Sequence, residues 1–320
     1  MGESFYLGVD SGGTKTEVAI LAADGSLLSS AIGLPIHLDA VPAEHHINGL
    51  RDLCHFACEQ AGVRLAEAAY YGLGMCGVDY PDELEAQRRV LFAGLGIDPA
   101  RAKLANDGIV ALWGGSAEAP AVIMQLGTAF TAAYRCEFGN ETPFDNLNAG
   151  VQFDIRRHLL TTLARMIDGR VKKTALADMV MDYFGETDSW QLIKKVMRGQ
   201  LEQMQLLNII AVLKEAVEQE DPVALQLVHD AADYYSRDLN FIIEKRVGFE
   251  STDVVLGGGQ LFNGPALLSE LITDKVKAVH PDVNVHSPLL SPAIGGAVMA
   301  AFYANADHHG IFQKALETSE

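Results

Sequence analysis

A glycine-rich turn near the amino terminus combines residue types that can bind phosphate. The segment GVDSGGTKT places Asp10 at the end of a predicted strand, and its glycines let backbone N–H groups approach phosphate oxygens closely. Thr14, Lys15 and Thr16 add hydroxyl groups and a positive charge. Asp10 is then placed to hold hydrated Mg²⁺, which prefers one or two carboxylates together with phosphate oxygens. The alternative is a simple hairpin turn, but six small or polar residues in succession exceed what a hairpin needs.

A second carboxylate that could take part in chemistry is Asp107, in the segment LANDGIV. The surrounding pattern predicts that a strand ends here and a helix begins. A carboxylate within reach of a substrate hydroxyl could take its proton as a phosphorus–oxygen bond forms, an effect worth roughly 10²- to 10⁴-fold in rate. An aspartate at this junction could equally cap the helix, and the spacing leaves both roles open.

The strand–turn–strand pattern of the amino terminus occurs a second time. In APAVIMQLGTAFTAAYR, Gly127 and Thr128 fall where Gly13 and Thr14 fall in the first copy, 114 residues earlier. Two such units predict two similar domains that face each other, each offering backbone N–H groups to a phosphate.

A third glycine turn, Gly257 to Gly259 in VVLGGGQLF, lies between a predicted strand and a predicted helix. Without side chains, such a turn would let an adenine and a ribose lie against the backbone. A triple glycine is a weak signal alone, and its place as the third turn in an ordered series gives it weight. Between the second and third turns, residues 154–246 show apolar residues at helical spacing and predict a helical lobe.

The composition indicates a globular protein of two domains. The 320 residues are 49% hydrophobic, enough for a sizeable core in each domain. A net charge of -18 argues against nucleic acid or an anionic membrane surface as a partner, because both are bound through clustered Lys and Arg. No uninterrupted apolar segment approaches the roughly 20 residues that cross a bilayer, so we expect a cytoplasmic protein.

The four cysteines lack CxxC spacing, and Cys54 and Cys58, one helical turn apart, are expected in a core.

The ordered series of motifs resembles the BadF/BadG/BcrA/BcrD ATPase family, and within it the N-acetylglucosamine kinase branch of the superfamily of hexokinase, actin and heat-shock chaperones. The resemblance rests on the GGAVMAA segment near the carboxyl terminus and on Asp10, Gly12, Gly13, Thr14, Lys15, Thr16, Asn106, Asp107, Gly127, Thr128, Gly257, Gly258 and Gly259. It implies an α/β fold of two ribonuclease-H-like domains with ATP and Mg²⁺ in the cleft between them. It also implies transfer of the γ-phosphoryl group to a sugar hydroxyl, with N-acetylglucosamine as the expected sugar, and a homodimer.

Carried over by motif, the resemblance implies a role for each of these residues. Asp10 is expected to hold the Mg²⁺ and Asp107 to act as the base. The first phosphate loop is expected at Gly12 to Thr16, the second at Gly127-Thr128, and the adenosine loop at Gly257 to Gly259. The residues implied in sugar contacts are Asn106, Asp107, Gly77 and Asp79.

The expected domains are residues 1–116 and, with helical insertions, residues 117–292. The final helix, expected over 293–305, packs back on the amino-terminal domain. No Pro- or Ser-rich linker separates the two domains, so the boundary is expected to be a hinge.

Two segments depart from the family pattern. The second phosphate loop of relatives usually reads GTGS but continues here as Ala129-Phe130, so a methyl group and a bulky ring replace a flexible glycine and a hydroxyl. Relatives also carry a GDEGS-like segment, whereas Asn148 and Ala149 stand here in place of its Asp and Glu. The acidic groups that would help to shape a sugar pocket are missing, so the sugar and the activity itself are left open.

Two other functions remain open for such a chain. Some members of the broad family are ATPases that energise electron transfer and bind an iron–sulfur cluster through cysteines, but none of the four cysteines lies in an evident cluster motif. A nucleotide-binding regulator without kinase activity would fit the two departures, whereas Asp10, Lys15 and Asp107 favour an active kinase.

Overall fold

The computed structural model describes residues 4–38, 42–144, 153–248 and 252–319. Within these residues the chain forms two five-stranded sheets with helices packed against them. The predicted α/β fold class is confirmed.

Five strands form the first sheet. They are β1 (Phe5–Ser11), β2 (Thr16–Ala22), β3 (Leu27–Gly33), β4 (Tyr70–Met75) and β5 (Ala102–Asn106). Their order is β3-β2-β1-β4-β5, with β1 antiparallel to β2 and parallel to β4, and with β5 parallel to β4. Because β1, β4 and β5 run in the same direction, their carboxyl ends lie at one edge of the sheet.

The second sheet repeats this topology. Its strands are β6 (Ala121–Leu126), β7 (Phe130–Arg135), β8 (Glu141–Pro143), β9 (Asp253–Gly257) and β10 (Asn284–His286). Their order is β8-β7-β6-β9-β10, and β6 is antiparallel to β7 and parallel to β9. The hairpins β1–β2 and β6–β7 therefore occupy equivalent places, which confirms the repeat predicted from the sequence.

Helices cover the sheets. The α-helices are α1 (Glu44–Gln60), α2 (Pro81–Leu95), α3 (Asp107–Gly115), α4 (Ile155–Ile167), α5 (Ala175–Phe184), α6 (Ser189–Met197), α7 (Gln203–Asn208), α8 (Ile210–Glu218), α9 (Pro222–Ile242), α10 (Gly259–Phe262), α11 (Ala266–Val279), α12 (Pro292–Tyr303) and α13 (His308–Thr318). Helices α1 and α2 share a core with the first sheet, in which Cys54 and Cys58 are buried as predicted. None of the described helices is both long and apolar enough to cross a membrane.

The two sheets are joined through a shared core that contains α3 and α12. Alternate residues of a strand point to opposite faces, and β6 shows this clearly. Val122 and Met124 pack with α4, α5, α6, α8, α9 and α11, whereas Ala121 and Ile123 pack with α3 and α12. The helices between α4 and α9 confirm the helical lobe that the sequence predicts.

Glycines allow α12 to lie directly on the first sheet. A Cβ built on Gly8 of β1 would lie 2.0 Å from the Ala293 carbonyl oxygen, and one on Gly72 of β4 would lie 2.0 Å from that of Gly296. Only residues without a side chain permit this approach of helix to strand. Helix α12 thus contacts the first sheet, while the domain limits and the assignment of this helix to the amino-terminal domain stay a prediction.

Candidate active site

Most of the predicted site residues line one cavity. This cavity of about 960 Å³ opens where the carboxyl ends of β1, β4 and β5 face the β6–β7 turn. The predicted residues in its lining are Asp10, Gly12, Gly13, Thr14, Lys15, Gly77, Asp79, Asn106, Asp107, Gly127, Thr128, Gly258 and Gly259. These residues meet because β1, β4 and β5 are parallel, so the segments that follow the three strands lie at one edge of the sheet.

Thr16 and Gly257 are the predicted residues that do not line this cavity. Thr16 is fully buried at the start of β2, and its hydroxyl oxygen lies 2.8 Å from that of Ser11. Gly257 ends β9, where a Cβ would lie 2.8 Å from Pro288 Cγ. Both residues belong to strands, and their neighbours in the turns reach the cavity instead. We therefore leave them out of the proposed phosphate and adenosine contacts.

The Asp10 carboxyl lies in an environment that disfavours its charge. Burial raises the pKa of Asp10 well above its usual range, and the carboxylates of Asp107 and Glu17 add to this, while Lys15 opposes it. A divalent cation would relieve this repulsion and favour the ionised form. Among the described residues no group of three or more His, Cys, Asp or Glu side chains could hold a metal. Because Mg²⁺ carried by phosphate oxygens needs only one or two carboxylates, the residues present fit that ion.

Asn106, rather than Asp107, is the cap of helix α3. The Asn106 side chain accepts a hydrogen bond of 2.8 Å from Gly108 N. Its amide Nδ2 donates to Asp79 Oδ1 at 2.9 Å, which fixes the orientation of both side chains. Asp107 is the first residue of the helix and lines the cavity. Asn106 therefore occupies the cap position, while Asp107 Oδ1 also accepts a hydrogen bond of 3.0 Å from Gly108 N, and the role of Asp107 as base stays a prediction.

The loop predicted to be the first phosphate loop joins β1 to β2 and is closed by a hydrogen bond of 3.0 Å from Gly12 N to Lys15 O. Lys15 Nζ lies 2.8 Å from Glu17 Oε2, and the lysine side chain is half exposed. Glu17 also accepts a hydrogen bond of 2.9 Å from Ser291 Oγ, which ties the loop to the amino terminus of α12. The Lys15 charge is therefore at the cavity wall but partly engaged by Glu17.

The predicted second phosphate loop lies against the predicted first phosphate loop at the wall of the cavity. A Cβ built on Gly13 would lie 3.2 Å from Thr128 Cγ2, which is close contact. The ring of Phe130, one of the departures from the family pattern, is buried and stacks on Tyr235 with ring centroids 6.3 Å apart. The bulky ring is thus packed into the core beside α9. The other departures, at 148 and 149, lie outside the described residues.

Two glycines of the site have backbone conformations that other residues rarely adopt. Gly77 has a φ of +87°, and a Cβ there would lie 1.8 Å from the Leu38 carbonyl oxygen. Gly258 has a φ of +98°, and a Cβ there would lie 2.5 Å from the Leu126 backbone. Both turns therefore require glycine.

A second cavity of about 660 Å³ adjoins the first and was not predicted from the sequence. It shares with the first cavity Thr14, Gly127, Thr128, Gly259, Phe262 and Asn263. Its other lining residues include Arg156 of α4, Met204, Leu207 and Asn208 of α7, and Lys214 of α8. These residues lie on ordinary amphipathic helices, so no local motif marks them.

His37 and Cys76 also line the larger cavity without having been predicted. Burial, with a smaller effect of nearby carboxylates, raises the pKa of the Cys76 thiol to about 12. The thiol is therefore protonated near neutral pH and is not an activated nucleophile.

Comparison with known proteins identifies similar chains over nearly the whole length. The family model described as "BadF/BadG/BcrA/BcrD ATPase family" matches residues 7–301. The N-acetylmuramic acid/N-acetylglucosamine kinase of Clostridium acetobutylicum is 21% identical over 302 residues, which are 92% of this chain and 98% of the relative.

Solved structures share the fold. A protein from Chromobacterium violaceum, named as a candidate N-acetylglucosamine kinase, has a TM-score of 0.70 at 21% identity and covers 93% of this chain and 99% of its own. A glucokinase of the ROK family from Streptomyces griseus, solved with glucose and AMPPNP, has a TM-score of 0.59 at 17% identity, with coverage of 92% and 98%. These similarities show an actin-like ATPase fold.

Proposed function

The chain belongs to the BadF/BadG/BcrA/BcrD ATPase family, and we propose that it is an ATP-dependent sugar kinase that acts on N-acetylglucosamine. The observation that carries the proposal is the meeting of two turns from separate sheets in one cavity. Gly13 and Thr128 approach each other across it, and Asp107 lines its wall. Such an arrangement supports phosphoryl transfer, which depends mainly on positioning and charge neutralisation.

The proposed nucleotide spans the two adjoining cavities. Its phosphates lie between the two phosphate loops, where backbone N–H groups of both turns can reach them. Its nucleoside lies in the 660 Å³ cavity, against the apolar side chains of Met204, Leu207 and Phe262. Gly259 lines both cavities and puts no side chain between them, and Gly258 lines the larger cavity beside it.

Asp10 is the residue proposed to hold Mg²⁺. The ion, when bound, would neutralise charge on the phosphate oxygens. Asp107 is proposed as the general base that takes the proton from the attacking sugar hydroxyl. Asn106, Gly77 and Asp79 are proposed to contact the sugar, and the hydrogen bond between Asn106 and Asp79 would orient both for that contact.

The identity of the sugar rests on the relatives. One is named an N-acetylmuramic acid/N-acetylglucosamine kinase, and another structure with the fold contains glucose. We propose an amino sugar, with closure of domains 1–116 and 117–292 around it to exclude water. A cytoplasmic homodimer is proposed with it, and light scattering of the purified protein would test the dimer.

A panel of sugars tests the proposed activity. The purified protein is incubated with Mg·ATP and, separately, N-acetylglucosamine, N-acetylmuramic acid, glucosamine or glucose, and ADP release is compared with a control without sugar. We expect release that depends on N-acetylglucosamine. Release with another sugar would keep the kinase and correct its substrate. Sugar-independent release, or none despite ATP binding, would favour a partner-coupled ATPase or a regulator without kinase activity.

A further inference from the structure

Two side chains outside the second phosphate loop hold its carbonyl groups. The loop spans residues 127–129 and is closed by a hydrogen bond of 3.0 Å from Gly127 N to Ala129 O. Gln260 Nε2 of α10 donates to the Gly127 carbonyl oxygen at 3.0 Å. Arg156 Nη2 of α4 donates to the Thr128 carbonyl oxygen at 2.9 Å. Two consecutive carbonyl groups are thus fixed by two different helices.

Arg156 is itself held rigidly. Its Nε and Nη2 donate to the two carboxylate oxygens of Asp154 at 2.9 and 3.0 Å. Asp154 is also the cap of α4 and accepts a hydrogen bond of 2.9 Å from Arg156 N. A guanidinium bound in this planar fork keeps one orientation, and only 6% of the side chain is exposed. Hydrogen bonds of Arg156 therefore link the start of α4 to the second phosphate loop.

The fixed carbonyl groups also fix the N–H groups of the loop. A trans peptide unit is planar, and its C=O and N–H bonds point in opposite directions. Holding the Gly127 carbonyl therefore orients Thr128 N–H, and holding the Thr128 carbonyl orients Ala129 N–H. All three loop residues line the 960 Å³ cavity, whereas Gln260 and Arg156 line the adjoining 660 Å³ cavity. The two N–H groups consequently point away from the side chains that hold the carbonyl groups.

The side chains of the loop make this orientation important. Ala129 and Phe130 have no side-chain hydrogen-bond donor, so the donors that this turn can offer a phosphate are the Thr128 hydroxyl and the backbone N–H groups. Arg156 and Gln260 are 5% and 4% exposed and line the 660 Å³ cavity beside the loop, so each can act on a bound phosphate through the N–H groups of the loop.

We propose that Arg156 and Gln260 are positioning residues that aim the N–H groups of Thr128 and Ala129 at a phosphate of bound ATP. The inference rests on the proposed function in that ATP occupies the cleft, but it requires neither a particular sugar nor phosphoryl transfer. Loss of either side chain frees one carbonyl group, and the N–H group of the same peptide unit then no longer holds its direction.

The test compares two variants with a matched control. Arg156→Gln removes the guanidinium, and Gln260→Met keeps the length of the side chain but removes the donor to Gly127. Arg170→Gln is the control, because Arg170 also pairs with an aspartate two residues before it, Asp168, but is exposed and lines neither cavity. Gln260→Met keeps the inference testable if Arg156→Gln does not fold.

Calorimetry measures the affinity of each protein for Mg·ATP and for adenosine, which lacks phosphate. We expect each variant to lose roughly tenfold in ATP affinity, as for loss of one well-placed hydrogen bond, with adenosine affinity changed less than about twofold. Arg156→Lys should recover part of the loss, because an ammonium group can still donate to the Thr128 carbonyl. The Arg170→Gln control should bind both ligands as the unaltered protein does.

Equal losses for ATP and adenosine would indicate a merely structural role and overturn the inference, as would unchanged ATP affinity. Failure of the unaltered protein to bind ATP would overturn both this inference and the proposed function. ATP binding that responds to the variants as expected, without phosphorylation of any sugar, would contradict the kinase proposal alone.

Discussion

The two adjoining cavities carry opposite charge although they share the turns between them. The larger one is lined by three carboxyl groups, those of Asp10, Asp79 and Asp107, against one lysine, Lys15. The smaller one is lined by Arg156 and Lys214, and by no acidic residue among those that the structure describes. The charged groups in the described lining of the smaller cavity are therefore all basic, although the chain as a whole has a net charge of -18.

The difference indicates a division of tasks. Carboxylates suit a hydrated cation and the removal of a proton from a hydroxyl group, whereas cationic walls attract the phosphates of a nucleotide toward the turns that both cavities share. Thr14 and Thr128, which line both cavities, lie where a phosphoryl group would pass from one to the other. Substitutions in each cavity should therefore affect different steps.

The largest effect is expected from Asp107→Asn in the acidic cavity. Without a base, sugar phosphorylation should fall by roughly 10²- to 10⁴-fold, while ATP affinity stays nearly constant. Steady-state rates and calorimetry measure the two quantities. Asp82→Asn is the matched control, because Asp82 also lies in the first turn of a helix but lines neither cavity. Full turnover of Asp107→Asn would show that the base is another group.

Asp79→Ala should weaken sugar binding without changing nucleotide binding. It removes the acceptor that orients the Asn106 amide at 2.9 Å, so the sugar contact of both residues weakens. We expect KM for the sugar to rise roughly tenfold with KM for ATP unchanged. Initial rates at varied sugar and at varied ATP give both constants. An increase confined to the KM for ATP would contradict the division between the cavities.

Lys214→Met should affect only the cationic cavity. The loss of one exposed positive charge should lower ATP affinity by roughly three- to fivefold, and more at low ionic strength than at high. Lys277→Met is the control, because Lys277 is an exposed lysine of α11 that lines neither cavity. A loss independent of salt would contradict an electrostatic role.

The smallest effect concerns an ion pair outside both cavities. His286 Nε2 lies 3.3 Å from Asp253 Oδ2, and the hydrogen bond to this carboxylate raises the pKa of His286. A raised folded-state pKa means that protonated His286 stabilises the fold below about pH 6.5, and that this contribution is lost as pH rises through the folded-state value. His286→Gln should lower the free energy of unfolding by about 1 kcal/mol near pH 5.5 and by less near pH 8.5. Urea unfolding at both pH values measures this, and equal losses would argue against the ion pair.

The sequence predicts the acidic cavity far better than the cationic one. Asp10 lies near the end of β1, Asp107 begins α3 directly after β5, and Gly13 and Thr128 lie in hairpin turns. Local patterns of glycine and polar residues mark all four. Parallel strand topology then brings the turns together, so a repeat recognised in the sequence was enough to predict the meeting of the two loops. The same patterns also placed Thr16 in the first phosphate loop, but Thr16 is buried in strand β2.

The residues of the cationic cavity carry no comparable local signal. Met204, Leu207 and Lys214 have the spacing of any amphipathic helix, and only packing of α7 and α8 against the turns makes them a wall. The contact of Arg156 with the Thr128 carbonyl joins residues of different elements and involves a backbone atom, which a sequence pattern does not report. The fold class, the repeat and the helical lobe were thus predictable, whereas the nucleoside cavity was not.

A crystal structure with Mg²⁺ and a non-hydrolysable ATP analogue tests the account most directly. We expect the phosphates against the turns that contain Gly13 and Thr128, the ion beside Asp10, and the base against Met204 in the smaller cavity. A nucleotide bound with its phosphates at only one of the two turns, or with its base outside the smaller cavity, would contradict it.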